Sequence, residues 1–532
     1  MSYVNKDLSA NESQVPPPNK QNVPARLSTE SNGNVCLESD KKFVYEDVLE
    51  IIGFGKTQWI MLLTCGLLLM MVINETMGMS IITIASQCDF DSSSMDKAIM
   101  SAAAFIGILC SSYFWGYLCD TYGRKPILMY TTLLGNIVSF ISIFIANFWV
   151  FVFLRFVVGV FIAGASSTTY AYLGEFFIAR HRPVVINYAS MFVGVSMTYV
   201  PAVAWLVLSM DWSFEITESF VFRPWRLLTI FNILPGFIAV LIMITLPDSP
   251  KILMSMRKYD EAYEAVNWIA KNNTGRCLQD FKVFKLLDES LPAGDKILHT
   301  SKSASKVLQQ MWHETIPLFK RPHVLNFIIS CTIMCGLFFC NSGMGLWYPE
   351  IQNRLGSNSD ENQMTICQVI DAFMDQQNQN ETEKICNDTI NTKSYIDSIT
   401  FGLSYTVGYI ILGLIINPLG RKVTIMSLLI ISAICGIVLQ WLLEPIAIVV
   451  CFILFLMLPG LCISILSGAV VDLVPTNLRG KAVCICLMLG RSGSVIGSNI
   501  IGSLLESYCS ITFGVFYGLI LVCSVLTYLL PI

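Results

Sequence analysis

The chain alternates between long apolar runs and polar punctuation. Twelve stretches, at 57–80, 98–118, 126–146, 149–171, 184–208, 225–246, 324–347, 398–416, 423–442, 446–469, 481–503 and 511–530, have the length and apolarity to cross a bilayer. The hydrocarbon to be crossed is about 30 Å thick. No water at that depth satisfies an exposed backbone, so isolated crossing segments must be helices. The pattern predicts an all-α membrane protein of twelve transmembrane helices. Only two intervening segments, 247–322 and 348–397, are long.

Composition agrees. The 532 residues are 54% hydrophobic and 14% charged, where a soluble domain carries about 25% charged residues. A net charge of −4 gives no reason to expect a nucleic-acid partner. Where the charges sit is more informative. With both termini cytoplasmic, and with Lys481 and Arg226 at the ends of their runs counted with the loops they border, 26 of the 34 Lys and Arg fall in inner segments and 6 in outer ones, the asymmetry that sets membrane orientation. The remaining two, Arg155 and Arg491, lie inside helices.

These boundaries divide the chain into a cytoplasmic N-terminal tail (1–56), a six-helix bundle (57–246), a cytoplasmic linker (247–322) and a second six-helix bundle (323–532) that includes the outer loop 348–397. Within the linker, residues 259–270 place Ala262, Ala265, Val266 and Ile269 on one face of an amphipathic helix. The outer loop carries glycosylation sequons at Asn380 and Asn387. It also holds Cys367 and Cys386, which an oxidising lumen would allow to pair.

An internal repeat at an offset of 297 residues relates the two bundles. Gly116, Asp120, Gly123, Arg124 and Lys125 map onto Gly413, Asn417, Gly420, Arg421 and Lys422. The same offset carries Glu175 to Asp472 and Arg182 to Arg479. Two matched bundles predict a solute site between them near the midplane. Gly123 suits a tight turn. Asp120, at a helix C-terminus, opposes the helix dipole and so calls for a partner from a neighbouring helix. These residues are expected to form a breakable ion-pair gate on the cytoplasmic face. Asn417 leaves the second half without the matching acid.

The Asp120–Lys125 loop, Arg155 with Gly159, Glu175 with Arg182, and Pro247-Asp248-Ser249-Pro250 resemble signature elements of the major facilitator superfamily. Within it, the stretch from Ile52 to Trp59 and Leu346-Trp347-Tyr348-Pro349-Glu350 resemble the branch of synaptic vesicle protein 2 and its related protein, with the organic ion transporters, which share the Pro-x-Ser-Pro element, as the nearest alternative branch. The resemblance implies the major facilitator fold, with helices one, four, seven and ten lining a cavity. It also brings departures. Asp248 and Lys251 stand where the superfamily usually has Glu and Arg. Val72 stands where the synaptic vesicle branch usually carries the first of two acids, and Glu75 matches the second.

Charges inside the membrane cost roughly 2.5–3.5 kcal/mol at its centre on insertion scales, so they mark function or pairing. Glu75 and Arg155 both fall in the outer half, on helices that the resemblance makes neighbours, and are expected to pair. Arg491 falls about 15 Å into helix eleven, among Gly490, Ser492, Gly493 and Ser494. Asn74, Thr168, Tyr170, Asn341 and Ser464 complete the candidate cavity and coupling residues. Any one of them is more readily read as a helix–helix hydrogen bond.

No catalytic constellation emerges. The phosphate-loop pattern suggested by Gly53 to Thr57 would need glycine at Glu50. His181, His299, His313 and His323 all fall on the inner side at no zinc spacing. Neither an enzyme, a metal nor a cofactor is expected. The sequence points to a monomeric multi-pass protein of the plasma membrane or an intracellular vesicle. It would move a small organic or charged solute by alternating access, with a proton or cation as a possible coupled ion. The competing reading is a receptor or sorting protein that keeps the fold without transport.

Overall fold

The structure is a computed structural model. It describes residues 42–178, 180–210, 212–217, 220–287, 309, 312–313, 315–357, 364–370, 390–474, 479–505 and 507–531. The side chains of Lys42, Pro183, Leu287, Gly356, Ser357, Asn417, Val471, Asp472, Arg479, Gly480 and those of 216–217 and 220 are outside that description, as are Asn380, Cys386 and Asn387.

A short strand, β1 (Lys42–Val44), and helix α1 (Tyr45–Ile52) precede the membrane. The first half then holds α2 (Lys56–Met77), its continuation α3 (Met79–Ala85), α4 (Ser94–Tyr122), α5 (Arg124–Ser142), α6 (Phe148–Glu175), α7 (Arg182–Leu208) and α8 (Pro224–Thr245). A hairpin of β2 (Phe214–Thr217) and β3 (Phe220–Phe222) joins α7 to α8. The linker contains α9 (Tyr259–Thr274) and β4 (Lys285–Leu287). The second half holds α10 (Val324–Phe338), α11 (Tyr348–Ser357), α12 (Thr392–Leu419), α13 (Arg421–Val438), α14 (Pro445–Asp472), α15 (Arg479–Leu504) and α16 (Cys509–Leu529).

Eleven helices among the described residues are long and apolar enough to span a membrane. The remaining expected span, 126–146, forms α5, which opens on Arg124-Lys125-Pro126 and so carries charge at its end. Its Thr131, Thr132, Asn136, Ser139 and Ser142 are buried, because they face α2, α6 and α8 rather than the surroundings. Exposed Leu, Ile, Val and Phe side chains on α5, α12, α13 and α16 are what a hydrocarbon solvent selects.

Residues 42–56 differ from the tail expected there. β1 pairs in parallel with β4 of the linker, Phe43 opposite Leu286. Val48, Leu49 and Ile52 of α1 share one buried cluster with Ala262, Ala265, Val266 and Ile269 of α9. Asn273 then ties the assembly to the membrane: its amide donates to Gly53 O (3.2 Å) and Gln58 Oε1 (2.8 Å), and its carbonyl accepts from the Thr57 amide (3.0 Å). Most of the Ile52–Trp59 signature thus seats the linker helix on the start of α2.

The halves touch chiefly along two helix pairs, α7 with α12 and α4 with α15. A Cβ on Gly402 of α12 would sit 2.6 Å from Met197 O of α7, so only glycine permits that approach. Phe452, Phe455, Phe513 and Phe516 fill the second half; Met61, Leu68, Ile162 and Tyr172 fill the first.

Candidate functional site

The expected gate loops occur in both halves with one geometry. Gly123 has φ of 100° and Gly420 φ of 78°, a region that favours glycine. A Cβ on Gly123 would strike the Asp248 carboxylate. Lys125 Nζ donates to Ile244 O (3.1 Å) and Leu246 O (2.5 Å), where α8 ends. Lys422 Nζ likewise donates to Leu530 O (2.9 Å), where α16 ends. Each lysine satisfies carbonyls that a helix C-terminus leaves unpaired. The 297-residue repeat therefore corresponds to repeated contacts.

The ion pairs of this loop lie within the first half. Asp120 finds its partner one turn on, at Arg124 (3.2 Å), and its side chain is 49% exposed. Arg124 Nε donates to Glu175 Oε1 (2.8 Å) on α6. Arg182 binds neither; it donates to Glu46 Oε1 (2.7 Å) of α1 and to Phe177 O (3.0 Å). Arg421 reaches Gly468 O at 3.4 Å. The network braces α4, α5, α6 and α1 and does not bridge the halves.

An ion pair that does bridge the halves lies at the other end. Lys97 of α4 donates to Glu350 Oε1 (3.2 Å) of α11, and Arg354 pairs with the same oxygen (3.1 Å). All three residues are buried. Burial opposes ionisation of Glu350, but Lys97 and Arg354 outweigh it and hold the carboxyl below its ordinary range. Trp205 of α7 stacks on Tyr395 of α12 beside it, with planes 11° apart. These contacts close the bundle at the end away from the basic loops.

Glu75 and Arg155 meet directly: NH1 lies 2.9 Å from Oε2 and both side chains are 1% exposed. The Ser139 hydroxyl donates to the same oxygen (2.9 Å) and accepts from Arg155 NH2 (3.0 Å). Ser142 also takes a hydrogen bond from NH2. Phe151 lies under the guanidinium, 5.1 Å away. Glu75 Oε1 has no hydrogen-bond partner among the described residues. The pair sits inside the first half, among α2, α5 and α6, and not on the surface between halves.

Asn74, expected to line the cavity, is buried instead. It donates to Asn232 O (3.1 Å) and accepts from Ser196 (2.5 Å), fastening α2 to α8 and α7. Thr168 meets Cys119 at 3.0 Å and Ser464 bonds its own helix. Tyr170 bonds Ser190 (3.2 Å), and Asn341 accepts from Tyr405. A Cβ on Gly460 would collide with that Tyr405 hydroxyl, so Pro459-Gly460 makes room for a side chain within an unbroken α14.

Two features escaped the sequence pattern. Asn341 lies in a π-helical turn, Phe339–Met344, that continues α10; such turns gather at functional sites. Cys367 is bonded to Cys509, at the start of α16, and not to Cys386. Proximity in sequence suggested the wrong partner, since 142 residues separate the true pair. Cys88 is also disulfide-bonded.

The sequence model of the Major Facilitator Superfamily matches residues 63–374. The chain is 24% identical over 330 residues to human synaptic vesicle glycoprotein 2B, covering 59% of this chain and 48% of that one. It is 25% identical over 377 residues to human synaptic vesicle glycoprotein 2C, covering 68% and 50%. It thus spans about half the length of these relatives. The fold is similar to that of the xylose transporter XylE from E. coli in a partially occluded inward open conformation. There the TM-score is 0.61 at 13% identity, covering 90% of this chain and 100% of that one. XylE bound to 6-bromo-6-deoxy-D-glucose, titled a proton:xylose symporter, gives 0.59 at 14% identity, covering 89% and 95%.

Proposed function

The chain belongs to the Major Facilitator Superfamily, and on that premise we propose that it carries a small organic or charged solute across a membrane by alternating access. One observation carries the reading: the two bundles meet chiefly along α7–α12 and α4–α15, an arrangement about which they rock as rigid bodies. Lys97–Glu350 and Trp205–Tyr395 close one end; opening there breaks them. Glu75 is the coupling group. Its Oε1 is free to take a proton, and protonation releases Arg155 and loosens α2 from α6. This carboxylate, shared between an arginine and a serine, supports a proton as the coupled ion.

The test is uptake into proteoliposomes under an imposed proton gradient. Saturable, gradient-driven flux supports the proposal; Glu75→Gln protein that keeps saturable downhill flux but loses the drive of the gradient assigns the coupling to Glu75, and unchanged coupling in that variant overturns the role.

A second reading, a receptor or sorting protein without flux, is favoured by Val72, which leaves the first half with one membrane carboxylate on α2 rather than a pair. Solute binding with no flux in either direction would select it.

A further inference from the structure

The buried basic side chains among the described residues are Lys97, Arg155, Arg226, Arg354 and Arg491. Four of them have carboxylates: Glu350 for Lys97 (3.2 Å) and Arg354 (3.1 Å), Glu75 for Arg155 (2.9 Å) and Asp89 for Arg226 (3.7 Å). Arg491 has none within 4.0 Å among the described residues, yet it is 9% exposed. It is the thirteenth residue of α15, about 18 Å along a helix of roughly 39 Å. A lone cation at that depth is costly unless an anion joins it.

The packing of α15 shows where the side chain faces. Gly490 and Gly493 lie against Met334, Phe338 and Cys335 of α10, within the second half. Cys484 lies 3.4 Å from the Cβ position of Gly116 on α4, and Gly502 meets Ala98 of the same helix. Cys484 and Gly502 are two and three turns from Arg491, on one strip of the helix. That strip faces the first half. Arg491 therefore occupies the contact between the bundles, midway between the two points where they touch. Tyr170 of α6 lies within Coulombic reach of it, and Tyr170 bonds Ser190 of α7.

We propose that Arg491 is the anion-recognition residue of the transport site and that the solutes carried are organic anions bearing a carboxylate. This rests on the transporter reading and names its substrate class. The planar guanidinium offers two parallel N–H donors to a carboxylate. Ser190 spends its hydroxyl hydrogen on Ile186 O (3.0 Å), so the further donor from the opposite bundle is the Tyr170 hydroxyl, turned from Ser190 to the solute, and a bound carboxylate is held by both halves. A sugar or an organic cation would leave Arg491 uncompensated.

The experiment uses the full chain in proteoliposomes and, in parallel, thermal shift in detergent. Benzoate and succinate represent anions, tetraethylammonium cations, and glucose neutral solutes. Anions are expected to stabilise the wild type and to be taken up. Arg491→Gln should weaken their binding about tenfold or more, a ratio worth 1.4 kcal/mol per decade, while Arg491→Lys keeps part of it. Without ligand, Arg491→Gln should melt no lower than wild type, because it removes an unpaired charge; this separates lost recognition from lost folding. If tetraethylammonium or glucose is bound and carried while the anions are not, the anion assignment is overturned and the transporter reading stands. If Arg491→Gln binds anions like wild type, Arg491 is not the recognition residue. If no solute of any class moves, both readings fall.

Discussion

Arg155 and Glu75 form the most deeply buried ion pair among the described residues, 2.9 Å apart with each side chain 1% exposed. Removing one partner strands the other in a dry interior. Such a loss costs roughly 3–5 kcal/mol, whereas replacing both together is far milder. Glu75→Gln and Arg155→Gln should each lower the melting temperature sharply, and the double substitution should recover most of it. A double variant as unstable as the sum of the singles would show that the two do not interact.

The basic-loop network ranks its members. Asp120 is half exposed beside Arg124, and exposed pairs contribute about 0–1 kcal/mol. Glu175 is the better buried partner, at 2.8 Å. Glu175→Gln should therefore destabilise the first half, and raise labelling of Cys119 on α4, more than Asp120→Asn does. Equal labelling of the two variants would contradict this order.

The Lys97–Glu350–Arg354 cluster gives the closed end a pH response. Glu350 has a folded-state pKa below its unfolded value, because Lys97 and Arg354 overcome the effect of burial. The stabilisation is therefore present above the unfolded carboxylate pKa, about 4.3, and is lost as pH falls through the lower folded value. Melting curves from pH 7 downward should show a loss that Glu350→Gln abolishes. The same slope in both proteins would place the response elsewhere.

The Cys367–Cys509 bond closes a loop with a sequence separation of 142, tying the outer loop to α16. Restricting the unfolded chain to this extent stabilises by about 2–4 kcal/mol. Peptide mapping without reduction should recover the 367 and 509 peptides joined. Cys367→Ser and Cys509→Ser should lower the melting temperature equally and without additivity. A Cys367 peptide joined to Cys386 instead would refute the pairing.

The repeat was readable because each copied residue does local work. Gly123 and Gly420 turn the chain, and Lys125 and Lys422 cap the helices that end beside them. The linker helix was readable from its alanine face. The strand and helix at 42–52 were not, because their apolar residues are too few to show a period and acquire meaning only against α9. Asn74 was assigned to the cavity because helix one was expected to line it. Its rotation about the axis turns the side chain to Ser196 and Asn232 instead.

Hydrophobic length, the placement of Lys and Arg, and the internal repeat determined by themselves that this is a helical membrane protein of two related halves. These signals are local or periodic, and the bilayer acts on each segment separately. Only the tertiary structure decided which buried charges are neutralised. Glu75, Arg155 and Arg491 look alike in the sequence, each a single charge in an apolar run. Whether such a charge meets a partner depends on helix rotation and on which faces the two bundles turn to each other. Packing sets these, and it left Arg491 facing the other half without a carboxylate among the described residues.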